Sequence, residues 1–269
     1  MNRATLVRII RERRSFLCVG LDPELEKLPR HLPRDAKGVL EFNMRIVDAT
    51  RDLCVAYKPN LAFYEALGPD GWKVFYETVQ YIGKEHFIIA DAKRGDIGNT
   101  SRLYAKAFFQ QAACDAVTVA PYMGADSVQP FLEFDQHWVV LLALTSNIGS
   151  NDFQLTPQAE ATGVPLFEKV IKRATTWGTP ENLMFVIGAT HPDLFQQIRA
   201  VIPGHFLLVP GVGAQGGDLD AICAAGLNDD IGLLINASRS IIYAGSGLDF
   251  DQKAREEARH IQQQMERYC

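Results

Sequence analysis

The sequence lacks an excess of basic residues, and it lacks any long apolar run. Its 27 Lys and Arg are outnumbered by 32 Asp and Glu, which gives a formal net charge of −5. This charge argues against a nucleic-acid or anionic-membrane partner, because no surplus of cations is available to neutralise phosphates in bulk. No run reaches the roughly 20 apolar residues of a membrane span. We therefore expect a cytoplasmic protein, in which one small basic pocket for a single phosphate remains possible.

Several familiar motifs are missing as well. The five cysteines are widely spaced and include no C-x-x-C, which indicates reduced thiols rather than a disulfide framework or a zinc site. The six histidines are scattered, with no H-E-x-x-H or H-x-x-E-H, so we expect no catalytic metal. No low-complexity segment or Ser/Gly linker divides the chain. We therefore expect one domain that spans residues 1–269.

What is present is a series of short apolar runs, each followed by a longer segment with helical spacing. The runs are six or seven residues long and almost continuously apolar, as in strands buried on both faces of a parallel sheet. The eight runs are Phe16–Asp22, Cys54–Asn60, Phe87–Lys93, Ala116–Pro121, Val139–Thr145, Leu183–Ala189, Phe206–Gly211 and Gly232–Ser238. Eight βα units in roughly 250 residues predict a (β/α)8 barrel, an α/β fold. A doubly wound open sheet is the alternative, but no G-x-G-x-x-G follows the first run.

Two of the spacer segments have the 3.6-residue period of amphipathic helices. The apolar stripes consist of Val39, Phe42, Ile46 and Val47 in one segment and Ala254, Ala258, Ile261 and Met265 in the other. The second stripe follows Asp249 and Asp251, whose charges suit a helix N-terminus. We expect both segments to pack on the outside of the sheet.

Charged residues stand at the ends of several runs. Asp22 ends the first run, Lys58 lies near the end of the second, and Asp91, Lys93 and Asp96 cluster at the end of the third. In a barrel of this kind the C-terminal ends of the strands form the mouth at which chemistry takes place. A strand end that simply meets solvent is the alternative for any one of these residues. Several charged ends at one mouth favour a site.

The cluster after the third run predicts a proton donor. Asp91 and Lys93 are separated by two positions, so along a regular strand their side chains face the same way. An alternating array of Lys58, Asp91, Lys93 and Asp96 keeps both lysines protonated, since neighbouring carboxylates favour the charged form. A protonated lysine between carboxylates is a positioned acid. A structural salt-bridge network is the alternative interpretation.

The carboxylates of the same array disfavour a second anion beside them. Two unit charges about 4 Å apart interact by roughly 4 kcal/mol at an effective dielectric near 20. A substrate carboxylate pressed against Asp91 is relieved when it leaves as CO2. The carbanion left behind is held by the lysine charge and then protonated.

Two further segments predict a phosphate site. A glycine-rich segment that begins at Gly211 follows the seventh run, and Ser238-Arg239 follows the eighth. Loops after strands seven and eight are where barrels of this class hold phosphate, through backbone N–H groups at a short helix N-terminus. Glycines let the backbone approach the anion, and a guanidinium can pair with it through two N–H groups. An ordinary βα turn is the alternative.

Taken together, these residues resemble the orotidine 5′-phosphate decarboxylase family, in its longer bacterial form. The segment Asp91–Ile97 (DAKRGDI) matches the family's D-x-K-x-x-D-I signature, and the likeness extends from Gly20-Leu21-Asp22 to Arg239. The other matching segments are 57–60 (YKPN), 144–147 (LTSN), 210–217 (PGVGAQGG) and 236–239 (NASR).

The resemblance implies decarboxylation of orotidine 5′-monophosphate to UMP in de novo pyrimidine biosynthesis, without a metal or an organic cofactor. It implies that Lys93 protonates C6 of the pyrimidine after CO2 departs, within an array completed by Lys58, Asp91 and Asp96. It also implies a homodimer, in which Asp96 reaches the site from the partner subunit together with the segment that runs to Thr100.

The resemblance assigns the remaining site residues to the nucleotide. Asp22 and Lys58 would contact the ribose hydroxyls, and Ser146 the pyrimidine ring. Gln215 would bridge phosphate and base. The 5′-phosphate contacts would come from Gly211, Ser238 and Arg239.

Two alternatives remain open at this point. A sister enzyme that shares the D-x-K-x-x-D signature, such as a hexulose-phosphate synthase, would act on a sugar phosphate with Mg²⁺. A non-catalytic barrel that binds a phosphorylated ligand is the other.

Overall fold

The computed structural model describes residues 1–157, 163–212 and 217–269. Gln215, to which the resemblance assigns a bridging role, lies outside the described residues. Within the described ranges, no helix combines the length and the hydropathy that crossing a bilayer requires. All five cysteines of the described chain are free thiols, and only Cys269 among them is exposed.

Eight parallel strands close into one barrel in chain order, and the eighth strand pairs back onto the first. The strands are β1 (Leu17–Leu21), β2 (Ala56–Pro59), β3 (Phe87–Arg94), β4 (Ala116–Val119), β5 (Trp138–Leu144), β6 (Leu183–Ile187), β7 (Leu207–Pro210) and β8 (Leu233–Ala237). Each coincides with one of the eight apolar runs to within two residues at either end. The predicted (β/α)8 barrel is confirmed, and closure of the sheet excludes the doubly wound alternative.

One or two α-helices follow each strand, and one helix precedes the first strand. They are α1 (Arg3–Arg13), α2 (Ala36–Thr50), α3 (Leu61–Glu65), α4 (Pro69–Ile82), α5 (Gly98–Lys106), α6 (Ala125–Leu132), α7 (Ser150–Phe153), α8 (Leu166–Ala174), α9 (Phe195–Val201), α10 (Leu219–Gly226), α11 (Arg239–Ile242) and α12 (Phe250–Met265). A π-helical turn, Ala107–Gln111, continues α5.

Burial explains why the strands are apolar on both faces. All five residues of β1, β6 and β8 are buried, since one face of each strand fills the barrel interior and the other packs beneath the helices. The predicted stripe of α2 is fully buried. In α12 the stripe is buried except for Ile261, which is half-buried. The apolar core therefore fixes the barrel and leaves the polar strand ends at its mouth.

Helix α2 shows how local sequence sets an element boundary. The Asp35 carboxylate accepts hydrogen bonds from the N–H groups of Lys37 and Gly38, at 2.9 and 3.0 Å. These are two of the four N–H groups that the first turn of a helix leaves without partners. In α12, by contrast, Asp249 occupies the N-cap position without such a bond, and Asp251 pairs with Arg45 at 2.9 Å.

Candidate active site

Three charged side chains meet at the mouth of the barrel, at the ends of β2 and β3. The Lys58 ammonium lies 2.6 Å from Oδ2 of Asp91, and the Lys93 ammonium lies 2.6 Å from Oδ1 of the same carboxylate. The side chains of Lys58 and Asp91 are only 6% and 9% exposed, whereas that of Lys93 is 51% exposed. Asp91 is thus a buried carboxylate held between two ammonium groups, one deep and one at the surface.

The ion pairs overcome the effect of burial on both buried groups. Burial raises the pKa of Asp91, but the charges of Lys58 and Lys93 outweigh it and hold that pKa well below its usual value. Burial lowers the pKa of Lys58, but the carboxylates of Asp91 and Asp22 outweigh it and raise that pKa above its usual value. Both groups are therefore ionised at neutral pH.

The end of β3 is not a regular strand, which corrects one step of the sequence argument. Lys93 has a φ of 47°, in the left-handed region. The pairing of β3 with β4 also shifts there: Ala90 lies opposite Val117, but Arg94 lies opposite Val119. The side chains of Asp91 and Lys93 do meet, as predicted. A bulge with a left-handed residue brings them together, and not the simple alternation of side chains along a strand.

Thr118, in β4, belongs to the same cluster and was missed by the sequence analysis. Its hydroxyl accepts the N–H of Lys93 at 2.8 Å and donates to Oδ1 of Asp91 at 3.0 Å. Thr118 is the one polar residue of a strand that otherwise reads Ala-Val-Val. That lone polar position in a buried strand was the available signal.

Two adjoining cavities open at the mouth, and both are lined by Lys58 and Pro210. The first has a volume of about 240 Å³. Its polar side is formed by Asp91, Lys93, Thr118, Thr145, Ser146 and Asn147, and its apolar side by Leu142, Val186 and Leu208. Apolar walls around a few charged groups are typical of a site for a small ring-shaped ligand.

The second cavity is more polar and has a volume of about 170 Å³. Its lining includes Asp22, Gly211, Val212, Asn236, Ala237, Ser238, Arg239 and Ser240. The short helix α11 begins here. The N–H groups of Ile241 and Ile242 already donate to the carbonyl oxygen of Ser238, and the Arg239 guanidinium supplies N–H donors to the cavity. Beside them, Oδ1 of Asp22 and Oδ1 of Asn236 are buried without a hydrogen-bond partner among the described residues. Donors and acceptors are thus both available to a polar ligand.

Two predicted site residues lie elsewhere in this chain. The Asp96 carboxylate accepts the N–H of Ile97 at 2.7 Å, and Thr100 is exposed on α5. Neither residue lines the two cavities. Within one chain the described array therefore has three charges, and the four-charge array is not formed. Asp96 lies in the loop after β3, two residues before α5 begins, and its backbone carbonyl accepts the Ser101 hydroxyl.

The remaining predicted residues lie where the strand order places them. Asp22, Gly211, Ser238 and Arg239 line the second cavity, and Ser146 lines the first. Across residues 1–157, 163–212 and 217–269, no group of three or more His, Cys, Asp or Glu side chains is arranged to hold a metal ion.

A closed (β/α)8 barrel whose mouth joins a buried ion-pair array to a polar pocket is a barrel enzyme in which the strand ends supply the chemistry. Comparison with known proteins identifies the family to which this enzyme belongs. The family model described as "Orotidine 5'-phosphate decarboxylase / HUMPS family" matches residues 15–250. The chain belongs to this family.

Relatives match over nearly the full length. An orotidine 5'-phosphate decarboxylase of Bacteroides fragilis (strain YCH46) is 54% identical over 268 residues, which cover 98% of this chain and 97% of the relative. That of Flavobacterium johnsoniae is 54% identical over 259 residues, covering 95% and 94%. The solved OMP decarboxylase of Leishmania donovani superimposes with a TM-score of 0.82 at 36% identity, covering 97% of this chain and 99% of that one.

The position of Ser238 depends on a glycine in the neighbouring strand, which yields a stability prediction. A Cβ atom added at Gly20 would lie 1.7 Å from Oγ and 2.7 Å from Cβ of Ser238, but 3.3 Å from its Cα. We expect Gly20→Ala to destabilise the fold by about 1–3 kcal/mol through overpacking. Urea unfolding measures the change.

The matched control is a double-mutant cycle. Ser238→Gly removes both clashing atoms, so the Gly20→Ala substitution should cost less than about 1 kcal/mol in that background. Equal costs of Gly20→Ala in the two backgrounds would show that Ser238 is not the constraint.

Proposed function

We propose that this protein decarboxylates orotidine 5′-monophosphate to UMP, a step of de novo pyrimidine biosynthesis. The observation that carries the proposal is the Asp91 carboxylate, ionised and held by Lys58 and Lys93, in a cavity that adjoins a polar pocket. Membership of the family supports it, as do full-length relatives that bear this activity as their name.

The two cavities suit the two ends of a nucleotide. We place the 5′-phosphate in the second cavity, against Arg239, Ser238 and Gly211. From the resemblance we also assign to Gln215 a contact that bridges phosphate and base. The pyrimidine then occupies the first cavity beside Ser146. The ribose falls at the junction, where Lys58 and Asp22 are within reach of its hydroxyls.

Asp91 supplies the driving repulsion in this mechanism. It stays ionised because the two lysines lower its pKa, so the substrate carboxylate at C6 meets a fixed negative charge. The walls formed by Leu142, Val186 and Leu208 favour neutral CO2 over a carboxylate. The bond between C6 and the carboxyl carbon breaks, and its electron pair remains on C6.

Lys93 completes the reaction. Its ammonium stabilises the developing charge at C6 and then transfers a proton there, giving UMP. The amine recovers its proton from water, which reaches it because the side chain is 51% exposed. Lys58 stays buried and charged, and keeps Asp91 in place throughout.

We further propose a homodimer of single-domain subunits in which Asp96, with the segment to Thr100, completes the partner's site. Exposed apolar side chains occur in this segment, further along α5 and in the loop after β4: Ile97, Leu103, Tyr104, Tyr122 and Met123 are 37–96% exposed. Such a patch is typical of an interface. A cytoplasmic location is part of the proposal and is supported by the free thiols, which a reducing compartment maintains.

The alternatives have less support. A Mg²⁺-dependent sugar-phosphate enzyme shares the broader family, but the relatives at about 54% identity over nearly the full chain are named as orotidine 5'-phosphate decarboxylases. A barrel that only binds its ligand needs no buried carboxylate between two lysines.

A spectrophotometric assay that follows the loss of orotidylate absorbance tests the activity. The wild-type chain should turn over without added metal, and Lys93→Ala should lower kcat about 10³-fold or more, because the proton donor is lost. Lys84→Ala, at an exposed position away from the mouth, is the control and should leave kcat unchanged. Turnover by Lys93→Ala at the wild-type rate would remove Lys93 from the donor role.

Arg239→Ala tests the phosphate site. We expect kcat/KM for orotidine 5′-monophosphate to fall about 10–100-fold, the loss of one charge-assisted hydrogen bond. Activity on the phosphate-free nucleoside should change less than about 3-fold, since remote binding energy acts only when the phosphate is present. Arg259→Ala on α12 is the matched exposed control. Equal losses on both substrates would contradict this placement.

Mixing two inactive variants tests the shared site. Lys93→Ala and Asp96→Asn subunits, co-refolded in equal amounts, should regain about a quarter of the wild-type activity, because each hybrid dimer carries one intact site. Each variant refolded alone is the control. Failure of the mixture to exceed both controls, with hybrids verified by mass spectrometry, would place Asp96 in the site of its own chain.

A further inference from the structure

The hydroxyl of Thr118 lies at the centre of the lysine–carboxylate cluster, although no step of the mechanism above uses it. It is 1% exposed, and both of its bonds are to the array: one to the backbone N–H of Lys93 and one to Oδ1 of Asp91. We propose that Thr118 is a positioning residue, which fixes where the Lys93 ammonium and the Asp91 carboxylate point. The inference rests on the proposed function.

The backbone of Lys93 is irregular at the point where Thr118 contacts it. Lys93 adopts a φ of 47°, a conformation that residues with a Cβ seldom occupy. The pairing of β3 with β4 skips there, so that Thr118 faces the bulge between Ala90 and Arg94. The Thr118 side chain therefore supplies an acceptor for the Lys93 N–H at the point where the regular ladder is interrupted.

The two hydrogen bonds of the Thr118 hydroxyl run in opposite directions. A hydroxyl has a single proton. If Thr118 accepts from the Lys93 N–H, that proton is free to go to Asp91, as the 3.0 Å contact shows. The Lys93 ammonium returns to the same Oδ1 at 2.6 Å. The Lys93 ammonium thus bonds to Oδ1 of Asp91 directly, and the Lys93 amide is linked to the same oxygen through the Thr118 hydroxyl.

The second oxygen of Asp91 cannot replace the contact between Oδ1 and Thr118. Oδ2 of Asp91 is already bonded to Lys58 at 2.6 Å, so only Oδ1 orients Lys93. Valine has the shape of threonine but can neither accept nor donate a hydrogen bond, whereas serine can do both. Substitution can therefore test the hydroxyl of Thr118 separately from the volume of its side chain.

The test compares Thr118→Val with Thr118→Ser in the orotidylate assay. Thr118→Val should lower kcat about 10–100-fold while KM changes less than about 3-fold, because the charged groups are misaligned and the binding contacts remain. Thr118→Ser should stay within about 3-fold of the wild type. Thr50→Val, at another fully buried hydrogen-bonded threonine outside the cavities, is the matched control and should keep its kcat.

A second readout does not depend on activity. Hydrogen–deuterium exchange of the Lys93 amide should become faster in Thr118→Val, which lacks its acceptor, and return towards the wild-type rate in Thr118→Ser. Thr118→Ala, which also lacks the hydroxyl, provides the same comparison should Thr118→Val fail to fold.

The outcomes separate this inference from the proposed function. Wild-type kcat in Thr118→Val, or equal losses in the valine and serine variants, would overturn the positioning role. An unchanged Lys93 exchange rate in both hydroxyl-free variants would do the same. Absence of turnover in the wild-type chain would count against the proposed function instead, while the exchange measurement would still test the hydrogen bond.

Discussion

A single buried carboxylate organises the mouth of this barrel. Asp91 is 9% exposed in its side chain and bonds to two ammonium groups at 2.6 Å each. A charge buried without partners costs several kcal/mol, so either lysine alone would leave the carboxylate partly unsatisfied. The pairing keeps Asp91 and Lys58 ionised, and together with the Lys93 ammonium the trio has a net positive charge in this chain. A net positive mouth attracts an anionic substrate.

This arrangement requires an irregular backbone at the end of β3. A left-handed Lys93 and a skip in the β3–β4 pairing are tolerated because the rest of the barrel over-determines them. Most strand residues are buried, and Thr118 supplies the hydrogen bond that the ladder lacks. Of the five described non-glycine residues with a positive φ, Lys93 is the one that lies in the lysine–carboxylate cluster.

Much of the fold was predictable because buried parallel strands leave a simple pattern. All eight apolar runs became strands, and the stripe Val39, Phe42, Ile46 and Val47 became the buried face of α2. Hydrophobic periodicity reports burial directly, and burial is what most elements of a barrel share. Strand order then placed Asp22, Lys58 and Asp91 at one mouth without any knowledge of distances.

The site was predictable only in part. Asp91 and Lys93 meet as expected, but through a bulge that a count of alternating positions cannot show. The sequence grouped Asp96 with the array, and the resemblance implies that Asp96 and the segment to Thr100 reach the partner's site; within their own chain neither Asp96 nor Thr100 lines the two cavities. Thr118 gave no signal except its polarity, since a lone threonine in a strand is usually unremarkable.

Sequence alone therefore determined the barrel, the family and the identity of the charged residues at the strand ends. Tertiary structure alone decided which oxygen of Asp91 each lysine contacts, the left-handed backbone of Lys93 and the part played by Thr118. The physical reason is that burial and hydrogen bonding require different precision in the placement of atoms. Burial depends on the average pattern along many residues, whereas a hydrogen bond depends on placing two atoms from different strands to within a few tenths of an ångström.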